Sequence, residues 1–178
     1  MSDRRLRMAE PRYRLHSQRM RIKGFLAAVT VAVLAVVAVP APAFAEVGYY
    51  RLFQNRYSGK CLEIPYGSTA NFAQAGQYDC YGGPIEQWNY STTTGLIQNV
   101  NSGKCLEVLY YSTANFAPVG QYDCYGGANQ QWYFNRSNGL IANRHSGKCL
   151  EVLYYATHNF APVGQYDCYG GANQQWWW

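Results

Sequence analysis

The chain has 178 residues, enough for one ordinary domain and hardly for two. Its formal charge of +5 comes from the N-terminal quarter: residues 1–45 hold eight Lys/Arg against Asp3 and Glu10, while the other 133 hold seven basic and eight acidic side chains. The part expected to fold therefore lacks a basic nucleic-acid footprint, and its sixteen tyrosines and five tryptophans exclude a disordered chain.

The first 45 residues read as an export signal. Basic residues lead into the apolar run Phe25–Val39, followed by Pro40, Pro42 and the small-x-small triplet Ala43-Phe44-Ala45, with cleavage expected before Glu46. That apolar run is 15 residues long, short of the ~20 a spanning helix needs. An uncleaved N-terminal anchor is the alternative, and Met20 is a second possible start, since it opens a compact signal of its own. The expected product is extracellular and free of the membrane after cleavage.

Residues 47–178 form three copies of a 44-residue unit. Cys61, Cys105 and Cys149 share this spacing, as do Cys80, Cys124 and Cys168, and Trp88, Trp132 and Trp176. The segment from Cys105 to Trp132 returns at Cys149–Trp176 with two changes, Ser112 to Ala156 and Ala114 to His158; the first copy, Cys61–Trp88, differs from the second at eight of 28 positions. Such periodicity has to be explained before any fold is proposed.

Each unit reads as short strands between turns. In the second copy these are Leu96–Asn99, then Cys105–Val108 with the alternation of a half-buried strand, then Gly120–Cys124, and Gln131–Phe134 after the Tyr125-Gly126-Gly127 turn. No window offers an amphipathic helix. Four strands per unit predict about twelve in an all-β domain, and closure into a pseudo-threefold barrel removes free strand edges. Two pairings of the six cysteines keep the threefold symmetry, one of 19 residues and one of 25. The shorter, Cys61–Cys80, Cys105–Cys124 and Cys149–Cys168, stays within each unit and is the one expected. An exported domain of this size gains from such bridges. No CxxC or Cys/His cluster suggests a metal, and no cofactor is expected.

These residues resemble a known family. Gln130-Gln131-Trp132, Gln174-Gln175-Trp176 and the variant Glu86-Gln87-Trp88, with the repeated Cys-Leu-Glu and Tyr-Asp-Cys, are similar to the ricin-type β-trefoil lectin domain, and more narrowly to carbohydrate-binding modules of bacterial secreted xylanases. The resemblance spans residues 47–178 and implies a β-trefoil with one shallow sugar pocket per unit. By position it implies ligand-binding roles for Glu107, Tyr122 and Asn129 in the second copy and Glu151, Tyr166 and Asn173 in the third. The first copy offers Glu63 and Tyr78, but Ile85 stands in place of the asparagine and Glu86 in place of the glutamine. The family's acid is usually Asp rather than Glu. Many members also carry Gln where this chain has Gly76, Gly120 and Gly164, and a polar residue where it has Tyr81, Tyr125 and Tyr169.

The chemistry suits sugars independently of the resemblance. Aromatic rings cover the apolar face of a pyranose, a carboxylate accepts from neighbouring hydroxyls, and an amide donates and accepts at once. Glu107 and Glu151 follow a buried-looking Leu by one position, so alternation turns them outward. The Gln-x-Trp tryptophans read as core, Trp177 and Trp178 as barrel closure, the paired tyrosines 110–111 and 154–155 as exposed rings, and His145 and His158 as surface residues. The resulting expectation is a monomeric, non-catalytic lectin binding galactose- or xylose-type mono-, oligo- or polysaccharides. Two alternatives stand beside it: a glycoside hydrolase using Glu107 and Asp123, and a protein-binding trefoil.

Overall fold

A computed structural model describes residues 50–178; the expected signal segment and its cleavage position lie outside them. The described chain is all-β, with five single-turn 3-10 helices between the strands. In chain order the strands are β1 (Arg51–Leu52), β2 (Gln54–Asn55), β3 (Cys61–Glu63), β4 (Gly76–Tyr78), β5 (Gln87–Tyr90), β6 (Ile97–Asn99) and β7 (Cys105–Val108). They continue with β8 (Val119–Tyr122), β9 (Trp132–Asn135), β10 (Leu140–Asn143), β11 (Cys149–Val152), β12 (Val163–Tyr166) and β13 (Trp176–Trp177). There are thirteen strands rather than about twelve because the first is divided at Phe53 into β1, which pairs with β5, and β2, which pairs with β3 and β13.

All pairings within the three sheets are antiparallel, in the orders β1-β5-β6-β7-β8, β12-β11-β10-β9 and β13-β2-β3-β4. The last of these closes the structure, because β13 pairs with β2 through Trp176 opposite Asn55. Trp178 then lies against Phe53, Phe134 and Tyr90, with the Arg51 and Arg136 guanidinium groups over its ring. Bridges Gln74–Gly120, Gly76–Pro162 and Pro118–Gly164 join each repeat to the next in a cycle. The architecture is a β-trefoil with pseudo-threefold symmetry.

The core follows from the repeats. Trp88, Trp132 and Trp176 are buried, and each indole N–H donates to the carbonyl of a core leucine: Leu62 at 3.0 Å, Leu106 at 2.9 Å and Leu150 at 3.0 Å. These rings therefore fill the centre with their one polar group satisfied. Around them pack Ile64, Ile97, Val108, Val119, Ile141, Val152 and Val163. The three disulfides join the residues expected, each across 19 positions.

A second layer of bonds holds the repeats together. Gln121, fully buried, donates to the carbonyls of Ser68 and Ala70 in the preceding repeat at 2.8 and 3.1 Å and accepts from Ser102 Oγ at 2.6 Å. Asn71 of that same loop exchanges two bonds with Asp123, whose carboxylate also pairs with Lys104. Gln165 and Asp167 repeat the pattern against the loop at Ser112–Asn115. Each long loop is thus fastened to the neighbouring unit, and it carries a phenylalanine there.

Candidate ligand pockets

The carboxylates sit lower than strand alternation implies. β7 and β11 are buried at every position, and Glu107 and Glu151 are each only 3% exposed. The outward orientation expected for them is corrected. One face of the strand meets the barrel core, and the 3-10 turn Ala128–Gln130 closes over the other, with Ala172–Gln174 doing the same in the third repeat. These glutamates form a floor rather than a rim.

The floor is tightly bonded. Glu107 Oε2 accepts from Gln130 Nε2 at 3.1 Å and Asn129 Nδ2 at 3.3 Å, and the Tyr125 hydroxyl lies 3.3 Å away. Gln130 also donates to the Asp123 carbonyl at 2.9 Å, while its Oε1 accepts the backbone N–H groups of Tyr125 and Gly126. Asn129, expected to face the ligand, is 1% exposed and donates to the Val108 carbonyl at 3.2 Å. Asn173 is buried in the same way and bonds the Val152 carbonyl. Both asparagines orient the acid. Burial raises the Glu107 and Glu151 carboxyls above the ordinary range, and the glutamine, tyrosine and asparagine bonds act against that rise. Tyr125 is pushed up to about 12, chiefly by burial, so its hydroxyl remains protonated as a donor.

The rings come next. Tyr122 lies diagonally across the β7–β8 pair from Glu107, which itself faces Gly120. Its ring meets Tyr125 edge-on at 6.0 Å, and Tyr125 reaches the acid, so ring, hydroxyl and carboxylate form one chain of contacts. Tyr166, Tyr169 and Glu151 repeat this order: the rings are 5.9 Å apart, and Tyr169 bonds Asn173, which reaches Glu151 at 3.5 Å.

Each pocket also borrows a phenylalanine from its neighbour, a residue without a role in the sequence reading. Phe72 of the first repeat stacks on Tyr110 of the second at 5.5 Å and meets Tyr122 at 4.9 Å. Phe116 does the same with Tyr154 and Tyr166, and Phe160 with Tyr66 and Tyr78. All six stacked partners have positive φ, from 59° to 66°, a region uncommon for bulky residues. Such conformations persist only where the surrounding structure over-determines them. A period-44 Asn-Phe in an otherwise polar loop was the available signal. The same crossing explains why the family's glutamine is replaced by glycine. A Cβ on Gly120 would lie 2.5 Å from the Ala73 carbonyl oxygen, and one on Gly164 would lie 2.8 Å from that of Ala117.

In the first repeat these elements form an open surface hollow of about 280 Å³, lined by Glu63, Tyr66, Tyr78, Tyr81, Ile85 and Phe160. Glu63 and Tyr78, expected to act together, are brought together. This is the repeat without the asparagine. Among its differences from the second repeat are Ile85 for Asn129, Glu86 for Gln130, and Gly67 for Tyr111, whose hydroxyl in the second repeat lies against Gly127. Asp123 is not a partner for Glu107. It is engaged by Asn71 and Lys104, which hold its carboxyl below the usual range.

Comparison with known proteins agrees with this architecture. The family described as "Ricin-type beta-trefoil lectin domain" matches residues 49–177. The structure is similar to a designed three-fold symmetric protein, ThreeFoil, with 39% identity over 71% of this chain and 95% of that one, at a TM-score of 0.68. It is also similar to an exo-β-1,3-galactanase from Clostridium thermocellum, with 34% identity over 74% of this chain and a TM-score of 0.68. The hemolytic lectin CEL-III is 25% identical over 74% of this chain, with a TM-score of 0.63. The match spans only 30% of each of the last two proteins. Among curated protein sequences, none matches.

Proposed function

Because this chain belongs to the ricin-type β-trefoil lectin family, we propose that it is a secreted, non-catalytic protein that binds galactose- or xylose-type sugars in polysaccharides. The observation that carries this reading is the composite cradle: a bonded glutamate floor in one repeat beneath a stacked Phe–Tyr pair shared with the next. The exposed stacked rings offer apolar area to the C–H face of a pyranose, and the floor offers fixed polar groups to its hydroxyls. Glu63, Glu107 and Glu151 are the proposed acids, and Tyr78, Tyr122 and Tyr166, with the phenylalanines beside them, the proposed walls. Asn129 and Asn173 support the acids from below.

Shallow pockets bind single sugars weakly, but several on one rigid body gain avidity along a polymer. The similarity to a galactanase and to a hemolytic lectin supports carbohydrate as the ligand class. Three disulfides suit an extracellular setting. Hydrolysis needs two carboxyls in complementary proton states, and the engagement of Asp123 by Lys104 and Asn71 speaks against its pairing with Glu107. A glycan array followed by retention on galactan and xylan gels tests the proposal. Binding without release of reducing sugar is expected; release of reducing ends, or no glycan binding at all, overturns it.

A further inference from the structure

The first repeat carries an unbalanced charge. In the second repeat Gln130 plays two parts: its Oε1 accepts two backbone N–H groups, and its Nε2 donates to Glu107 and to a carbonyl. Glu86 keeps the first part, accepting from Tyr81 N and Gly82 N at 2.9 and 2.8 Å. A carboxylate has no donor for the second. Glu63 Oε1 and Glu86 Oε1 are consequently both buried without a hydrogen-bond partner, and both residues are at most 1% exposed.

Two adjacent buried carboxylates are relieved by a shared proton or, once both are ionised, by a counter-charge. None of the residues lining the cavity is Lys, Arg or His, and Lys60 is committed to Asp79. Burial, followed by the charge of Glu86, pushes Glu63 up to about 7, as expected of a pair short of positive charge. The other lining groups are the rings of Tyr66, Tyr78, Tyr81 and Phe160, whose faces attract cations. A hard metal ion is a poor fit, because calcium takes six to eight oxygen ligands and no group of three or more metal-ligating side chains occurs among the described residues. An organic ammonium suits the site, with its N–H donors toward Glu63, which lines the cavity with the wholly buried Glu86 behind it, and its body against the rings. The cavity, about 280 Å³, is of a size for one small ring rather than an oligomer.

We propose that the first repeat is specialised for a protonated primary amine on a single sugar ring, an amino sugar, with the Glu63–Glu86 pair as its counter-charge. This rests on the reading of the pockets as sugar sites and adds a charge requirement to one of them. Glu86 sets the specificity: the other two repeats carry glutamine at this position and have no second carboxylate to balance.

The test uses the Tyr122→Ala/Tyr166→Ala variant, in which the cradles of the second and third repeats are removed. Titration calorimetry at pH 7.5 compares D-galactosamine with D-galactose and N-acetyl-D-galactosamine, which keep the ring and lack the charge. Galactosamine is expected to bind at least tenfold tighter than either. Adding Glu86→Gln, the side chain found at this position in the other repeats, is expected to reduce that ratio below threefold. Equal affinities, absence of galactosamine binding, or a preference that survives Glu86→Gln overturns the inference. Failure of the otherwise unmodified protein to bind any neutral glycan overturns the sugar-site reading instead, so the two failures are distinguishable.

Discussion

Phe72 in the first repeat and Tyr110 in the second lie ring on ring, 5.5 Å apart and within 10° of parallel, although 38 residues of chain separate them. Both have positive φ, and both are exposed. The pair exists because Gln121 and Asp123 fasten the Phe72 loop to the second repeat, and because Gly120 leaves room for that loop to pass. A pocket in this trefoil is therefore a property of two repeats, and an isolated 44-residue unit would not contain one.

Asn129→Ala tests the assignment of the asparagine as a support. The change leaves the Val108 carbonyl and Glu107 short of a buried donor, which costs about 1–3 kcal/mol. Chemical denaturation is expected to show that loss without any ligand present. A residue that touched only sugar would leave stability unchanged.

The carboxyl groups give the fold a defined pH dependence. Glu63 is raised from 4.5 to about 7 in the folded protein, so between these values the unfolded chain binds fewer protons than the folded one. Stability then falls as pH rises through that window and levels off above it. Glu107 and Glu151 shift in the same direction. Asp79, Asp123 and Asp167 shift downward, so their contribution is present above the ordinary Asp range and is lost as pH falls below it. The rings of Tyr66, Tyr78 and Tyr81 face Glu63, and burial pushes the Tyr81 hydroxyl above its ordinary range. Melting temperature is expected to be highest near pH 4–5 and lower at pH 8. Glu86→Gln is expected to flatten the curve and to raise the melting temperature at pH 8, and a curve unchanged by that substitution would contradict this account.

The disulfides carry a separate prediction. Replacing Cys105 and Cys124 with alanine opens a loop of about 20 residues and is expected to cost about 3 kcal/mol through the unfolded chain's regained freedom. Because the bridge lies outside the cradle's bonds, the variant should bind polymer normally at temperatures where it stays folded. Calorimetric unfolding with parallel gel retention checks both statements.

Much of this architecture was readable from the repeat. Spacing, symmetry and the alternation of short apolar runs were enough for three units, three disulfides and a core of tryptophans, because each depends on local pattern multiplied by three. Alternation fails at Glu107 because it describes a strand with one covered face, and here the Ala128–Gln130 turn covers the second. Phe72, Phe116 and Phe160 are not legible as pocket residues because their partners are in another repeat, beyond the reach of any local pattern. The cavity at the first repeat depends on Gly67 and Ile85, small departures whose consequence is spatial.

The shared Phe–Tyr stacks are removed together in Phe72→Gly/Phe116→Gly/Phe160→Gly, assayed for retention on galactan and xylan gels alongside thermal unfolding. Glycine accepts the positive φ of these positions without strain, which offsets part of the lost packing and keeps the fold intact. At least a tenfold loss of polymer affinity is expected, with cooperative unfolding preserved. Undiminished retention by the folded triple variant would contradict it.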